Sequence, residues 1–241
     1  MDAIILAAGK GKRLAPLTNY APKSLLPINS RPILSYALDN IIEAKIENVV
    51  ITLGYMAEKI ESFLKNEYSN KINYKTVLQN PLLGTGHAVL LAKHLIKSDF
   101  VVLAGDTAFN KGFLKKQIDF HNQNQADISF VLKKLRPKGL MKTSCVRLEN
   151  KKITEFFEKP TINELVSEYA ASLFHIYPHK AFEYLNELKK STRGEYELTA
   201  IVNPMINDGY QVYGQHLPLS PDLTETQDLL KKNFDYLETY L

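Results

Sequence analysis

Short apolar runs alternate along this chain with longer segments in which apolar positions recur three and four residues apart. The runs at residues 2–7, 48–53, 72–77, 100–105 and 127–133 predict strands, and the segments 33–44, 55–66, 86–95 and 112–122 between them predict one-sided helices. Such a βαβ series predicts an α/β sheet covered on both faces. Its crossovers should be right-handed, and its ligands should gather outside the carboxyl ends of the strands. The second half is less regular, with expected strands at 145–149, 152–157, 169–176 and 210–216 and expected helices at 179–189, 198–208 and 224–240. Antiparallel insertions into the same sheet would produce that pattern. No Pro-, Gly- or Ser-rich linker and no repeat interrupts it, so one domain over residues 1–241 is expected.

Composition narrows the function classes. A hydrophobic content of 45% can fill a substantial core. The longest apolar stretches, such as residues 3–8, fall far short of the ~18 residues that cross a bilayer, and no basic segment precedes them. A cytoplasmic protein without a membrane partner is therefore expected. Cys145 is the single cysteine, so no internal disulfide or cysteine-rich zinc site can form, and it reads as a small buried residue. The 30 basic and 26 acidic residues are interspersed, giving a net charge of +4. A nucleic-acid partner would call for a concentrated basic face, whereas small phosphorylated ligands need only a few placed cations.

The first strand runs into Leu6-Ala7-Ala8-Gly9-Lys10-Gly11-Lys12-Arg13-Leu14, then Pro16-Leu17-Thr18 and Ala21-Pro22-Lys23-Ser24-Leu25-Leu26-Pro27. Two glycines allow a tight turn that brings backbone N–H groups against a polyanion, while Arg13 and Lys23 add fixed positive charge. The string is neither a P-loop nor a dinucleotide fingerprint, since it lacks the G-K-[ST] ending and the third glycine. A second segment, Gln79-Asn80-Pro81-Leu82-Leu83-Gly84-Thr85-Gly86-His87-Ala88, opens an expected helix, and its Gln amide offers both a donor and an acceptor to a base edge. Thr85 would serve equally as a helix N-cap, and His87 needs no chemical task there. A third, Gly105-Asp106, puts a carboxylate at the tip of a buried strand, where a hard divalent cation finds the oxygen donor it prefers.

Taken together these segments resemble the sugar-1-phosphate nucleotidylyltransferases, the nucleotide-sugar pyrophosphorylases, and most closely their uridylyl- and thymidylyl-transferring members. The resemblance implies a Rossmann-like three-layer αβα sandwich with a mixed, mainly parallel sheet. Residues 1–125 would serve mainly the nucleotide and 126–241 mainly the sugar phosphate. It also implies that Ala8, Gly9, Gly11 and Arg13 hold the triphosphate, that Lys23 lies where the bond is broken, and that Gln79, Gly84 and Thr85 meet the base. Asp106 becomes a Mg²⁺ ligand. The late segment Ser220-Pro221-Asp222-Leu223-Thr224 resembles the family's closing motif with Asp222 as second metal ligand, although Ser220 and Thr224 depart from that motif and leave Glu225 and Asp228 as alternatives.

On the acceptor side, Glu158-Lys159-Pro160 resembles an element whose lysine holds the sugar's phosphate and whose glutamate takes sugar hydroxyls. Ser172 stands where the resemblance implies a glycine, so it narrows the pocket or adds a hydrogen bond. In Gly194-Glu195-Tyr196-Glu197-Leu198-Thr199, Glu195 rather than Glu197 is the expected sugar contact. The implied reaction is attack of a sugar 1-phosphate on the α-phosphorus of an NTP, UTP or dTTP, with release of pyrophosphate. None of the six histidines sits beside a plausible nucleophile, so a covalent mechanism has no support. Two other readings stay open: a cytidylyltransferase for a polyol phosphate or phosphocholine, and a non-catalytic regulatory paralogue that binds a nucleotide sugar. The choice between glucose 1-phosphate and N-acetylglucosamine 1-phosphate, and homo-oligomer formation, are open as well.

Overall fold

In β1 (Asp2–Ala7), Ala3, Ile5 and Ala7 join one buried cluster while Ile4 joins another on the opposite face. A strand apolar on both faces needs cover on both. The computed structural model describes residues 1–217 together with Leu229 and Asn233, and supplies that cover. After β1 come a two-stranded ribbon of β2 (Pro27–Ile28) and β3 (Arg31–Pro32), then α1 (Ile33–Glu43), β4 (Val49–Leu53), α2 (Ala57–Glu67) and β5 (Tyr74–Leu78). Next are α3 (Thr85–Leu90), β6 (Phe100–Ala104), α4 (Phe113–Gln123), β7 (Ile128–Lys134), α5 (Pro137–Leu140), β8 (Ser144–Glu149) and β9 (Lys152–Glu158). The series closes with β10 (Tyr169–Tyr177), α6 (Ala181–Asn186), α7 (Val202–Asn207) and β11 (Val212–His216).

The main strands form one nine-stranded sheet in the order β5-β4-β1-β6-β10-β7-β11-β9-β8. Parallel pairing joins β5, β4, β1 and β6, and again β7 and β11. The expected antiparallel insertions are β10, between β6 and β7, and β9, between β11 and β8. On one face Leu34, Leu38, Ile60, Leu64, Phe113 and Leu114 of α1, α2 and α4 pack against Ile5, Ile51 and Leu103. On the other, Val89, Phe182, Leu185, Val202 and Met205 of α3, α6 and α7 pack against Ile4, Val102 and Phe130. The result is the expected αβα sandwich with a mixed sheet.

Chain order places the site. From β1 the chain moves outward to β4 and β5, then returns to lay β6 on the other side of β1. The loops after β1 and β6 therefore diverge from neighbouring strand ends, which opens a crevice at a topological switch point.

Several boundaries differ from the sequence pattern. The expected strand at 72–77 begins at Tyr74, because the N–H groups of Lys71 and Ile72 still bond to Tyr68 O in closing α2. The helix expected over 86–95 stops at Leu90 and is followed by a 3₁₀ turn, Lys93–Leu95. The helix expected over 198–208 divides into a 3₁₀ turn, Leu198–Ile201, and α7, whose Pro204 lies in the first turn where no N–H is needed. That expected over 179–189 shortens to α6. The β2–β3 ribbon and α5 are too short to show a period. Asp222, Glu225, Asp228 and, apart from Leu229 and Asn233, the helix expected over 224–240 lie outside the described residues.

Candidate active site

Three short 3₁₀ turns, Lys12–Leu14, Leu17–Asn19 and Lys23–Leu25, fold the loop after β1 back on itself. Leu14, Leu26, Ile28, Ile33, Ala108 and Leu229 form a small apolar cluster beneath it, so the loop is packed from below and polar above. Gly11 is required at the fold-back. Its φ is +64°, and a Cβ there would lie 2.9 Å from Lys23 Cβ and 3.2 Å from Thr18 Cγ2. The Thr18 hydroxyl donates to Gly11 O at 3.2 Å and fixes the turn.

This fold-back brings Lys23 opposite the end of β6. Its ammonium lies 2.7 Å from Asp106 Oδ2, with the two side chains 17% and 39% exposed. Gly9, Gly11, Lys12, Arg13, Lys23, Ser24 and Asp106 line a cavity of about 280 Å³. Arg13, Lys23 and Asp106 are shared with a second cavity of about 400 Å³, whose far wall is Lys133, Lys142, Thr143, Ser172 and Leu173. The two spaces meet at those three charged groups.

Asp106 fits one role for a divalent cation. Among the described residues no cluster of three or more His, Cys, Asp or Glu side chains could cage a metal. Mg²⁺ does not need a cage, since it is held by one or two carboxylates together with substrate phosphates and water. One accessible carboxylate between two cavities rich in cations matches that pattern. The Ser24 hydroxyl adds a second sign of ligand chemistry, because it is buried in the wall of the first cavity and has no hydrogen-bond partner among the described residues.

The base-side loop is braced from within. Gln79 is buried, and its amide Nε2 donates to Gly84 O at 2.9 Å and faces His87 Nδ1 at 3.1 Å. Thr85 is the first residue of α3 rather than its N-cap, and its hydroxyl accepts the Leu198 N–H at 3.0 Å. Tyr196 completes the brace: its N–H donates to Leu83 O at 2.8 Å and its carbonyl accepts from Gly86 N–H at 2.7 Å. Residues 83–86 and 191–199 are thereby one structural unit.

That unit carries a charge cluster. Arg193 Nη2 pairs with Glu197, lies 3.7 Å from Glu195 and reaches 4.0 Å from Glu158. Glu158 also accepts from the Thr199 hydroxyl at 2.9 Å. Partial burial lifts the Glu158 carboxyl above its ordinary range, the Glu197 charge adds to the rise, and the Thr199 bond and Arg193 oppose it. Of the neighbouring glutamates it is Glu197 that is held inside the cluster, at 10% side-chain exposure against 47% for Glu195.

The structure thus gathers Gly9, Gly11, Arg13, Lys23 and Asp106 into one cavity and Ser172 into its neighbour; Ala8 is buried just beneath, its carbonyl accepting Tyr55 N–H at 2.9 Å. Gln79, Gly84, Thr85, Glu158 and Glu195 belong to the braced unit beside these cavities, and none of them lines either one. Lys159 lines neither cavity, and its N–H bonds to the carbonyl of Thr143, a residue of the second cavity's wall, at 2.8 Å. The Ser172 hydroxyl donates to Val131 O at 2.9 Å, which leaves only its lone pairs for a ligand. Sequence reasoning missed Lys133, Lys142, Thr143 and Arg193. The first three sit in segments with no motif, and Arg193 precedes Gly194 in what reads as an ordinary turn.

An αβα sandwich with a glycine-rich, cation-bearing loop and a carboxylate at its switch point is the arrangement of a doubly wound α/β protein with its candidate site at the strand ends. The nucleotidyl transferase family matches residues 2–239, nearly the whole chain. The chain is 36% identical over 241 residues to the Bifunctional protein GlmU of Methanococcus maripaludis strain S2, covering 98% of itself and 54% of that protein. It is 31% identical over 211 residues to the UTP–glucose-1-phosphate uridylyltransferase AglF of Haloferax volcanii, covering 87% and 85%. In fold it is similar to a UDP-glucose pyrophosphorylase solved with UDP-glucose, with TM-score 0.87, 23% identity and coverage of 99% and 98%. A putative glucose-1-phosphate thymidylyltransferase from Bacillus anthracis gives 0.84 at 27% identity, covering 97% and 94%. The chain belongs to the nucleotidyl transferase family, in its sugar-1-phosphate nucleotidyltransferase group. It spans about half the length of the GlmU relatives it matches.

Proposed function

We propose that this chain transfers a nucleoside monophosphate from an NTP, UTP or dTTP, to glucose 1-phosphate or N-acetylglucosamine 1-phosphate, forming a nucleotide sugar and pyrophosphate with Mg²⁺ as cofactor. The observation that carries this reading is the meeting of Arg13, Lys23 and Asp106 where two cavities join. Two phosphorylated reactants repel each other, so a site that brings them together must first neutralise charge.

In this reading the triphosphate lies over Gly9 and Gly11, with the Arg13 fork on its oxygens and Lys23 beside the α-phosphorus. The acceptor enters the second cavity, and an oxygen of its phosphate attacks the α-phosphorus in line. A new P–O bond forms as the bond from the α-phosphorus to the bridging oxygen breaks, and pyrophosphate departs with that electron pair. The acceptor's phosphate is already anionic at neutral pH, so no general base is required. Asp106 would hold Mg²⁺, which supplies charge neutralisation at the phosphates when bound. Lys23, now paired with Asp106, is a compact charge on a long stem and can turn to follow the reacting phosphate. Arg193 holds Glu158, Glu195 and Glu197 together as one cluster in the unit beside the cavities.

The test is a pyrophosphate-release assay of each NTP against a panel of sugar 1-phosphates, with Mg²⁺ or EDTA. Turnover with UTP or dTTP that chelation abolishes is expected. Tight nucleotide-sugar binding without turnover of any pair would instead make the chain a sensor. Lys23→Ala should lower kcat by about 10²–10³-fold with the melting temperature retained. A loss below about tenfold would remove Lys23 from the reacting centre.

A further inference from the structure

Consecutive residues of a strand point to opposite faces, yet Ser172 and Leu173 both line the second cavity. A bulge in β10 makes this possible: four steps from Ala171 to His175 are matched by two steps from Leu132 to Phe130 on β7. A bulge takes backbone groups out of the ladder, and those that are buried need other partners. Ser172 O finds one in the imidazole of His175, 2.6 Å from Nε2, and the Ser172 hydroxyl donates to Val131 O. A carbonyl only accepts, so Nε2 carries the ring proton and Nδ1 is the acceptor for the Tyr177 hydroxyl at 3.1 Å.

The ring that closes this bridge is enclosed on all sides. His175 is 1% exposed and Tyr177 is fully buried. The Phe130 ring packs 4.6 Å from the imidazole and the Tyr177 ring 5.6 Å away. Burial holds the imidazole neutral, down at about 3, despite the bond to Ser172 O, and pushes the Tyr177 phenol well up, so the direction of each hydrogen bond is fixed at working pH. His175 lines neither cavity.

Resting on the reading that the second cavity takes the acceptor, we propose that His175, oriented by Tyr177, is a positioning residue that holds the β10 bulge so that Ser172 and Leu173 together shape the acceptor wall and set which sugar phosphates fit.

His175→Phe keeps a ring of similar size and removes both hydrogen bonds. It should raise the acceptor KM about tenfold, leave the NTP KM within about twofold, and shift the ratio of kcat/KM between glucose 1-phosphate and N-acetylglucosamine 1-phosphate by about fivefold or more. His175→Gln, which can still donate to Ser172 O, should recover part of the change. Equal rises in both KM values, or an unchanged ratio between acceptors, would reduce His175 to a core residue and overturn the proposal. Should His175→Phe fail to fold, Tyr177→Phe removes a single hydroxyl and should move the acceptor KM in the same direction by less; an unmoved value overturns the proposal too. Two readouts need no turnover. Nitrogen NMR of the wild type should show Nε2 protonated and Nδ1 bare, and amide exchange at Leu173 and Phe174 should speed up about tenfold in His175→Phe. The opposite tautomer or unchanged exchange would refute the clamp. A wild type that turns over no acceptor would refute the proposed function and leave these two measurements to decide on the clamp.

Discussion

Replacing Gly84 with alanine tests the joint between the loop at 83–86 and the loop at 191–199. Gly84 has φ +106°, and a Cβ there would lie 2.6 Å from Tyr196 O and 2.8 Å from Tyr196 N. Both contacts are with main chain, so no side-chain rotation relieves them. A non-glycine residue in that backbone region costs about 1–3 kcal/mol. Moving Tyr196 away also stretches its two bonds, to Leu83 O and from Gly86 N–H, each contributing about 1 kcal/mol. A total of about 2–4 kcal/mol follows once partial relaxation is allowed for. Unfolding entropy of about 2.1 cal/mol/K per residue gives about 0.5 kcal/mol/K for 241 residues, so the melting temperature should fall by about 4–8 °C. Calorimetry measures this, and steady-state kinetics on the same sample should show the NTP and acceptor KM values rising together. A melting temperature within about 1 °C of wild type, with both KM values unchanged, would refute the idea that the Tyr196 bridge couples the loops.

Gly9→Ala makes the opposite prediction, since a Cβ there meets nothing within 4 Å and Gly9 lines the first cavity, where the proposed function puts the triphosphate. Melting should be unchanged while the NTP KM rises about tenfold, and an unmoved KM would place the phosphates elsewhere. Arg193→Gln concerns pH. The raised carboxyl of Glu158 means that its share of stability is fully present below the ordinary glutamate range and is lost as pH rises through its higher folded value. Without the Arg193 charge that rise should extend further, so urea midpoints measured from pH 4 to pH 8 should go on falling to higher pH in the variant than in the wild type; curves of the same shape would mean that Arg193 does not oppose the rise.

The fold was legible wherever one period ran long enough to count. Phe100-Val101-Val102-Leu103-Ala104 announces a strand buried on both faces, and it lies beside β1 in the sheet. The convergence of Gly9, Gly11, Arg13, Lys23 and Asp106 was legible because each stands beside a strand end or in a dense motif. What escaped was held by tertiary contacts alone. Lys142 is one of 30 basic residues, and nothing local marks it as a cavity wall. Ser172 looked like a glycine replacement, but its meaning depends on a bulge that only the register of β10 against β7 reveals. Nor does a sequence show that Arg193 folds back over Glu197 and leaves it the more buried of the two glutamates.

The most direct measurement is a crystal structure with Mg²⁺ and a UTP analogue whose α–β bridge cannot be cleaved. The triphosphate should lie along Gly9 and Gly11, with Arg13 on its oxygens, the metal on Asp106, and Lys23 drawn from its 2.7 Å contact with Asp106 toward the α-phosphate. A nucleotide bound with its phosphates away from the space that Arg13, Lys23 and Asp106 enclose would contradict the claim that charge neutralisation in this cavity makes the reaction possible.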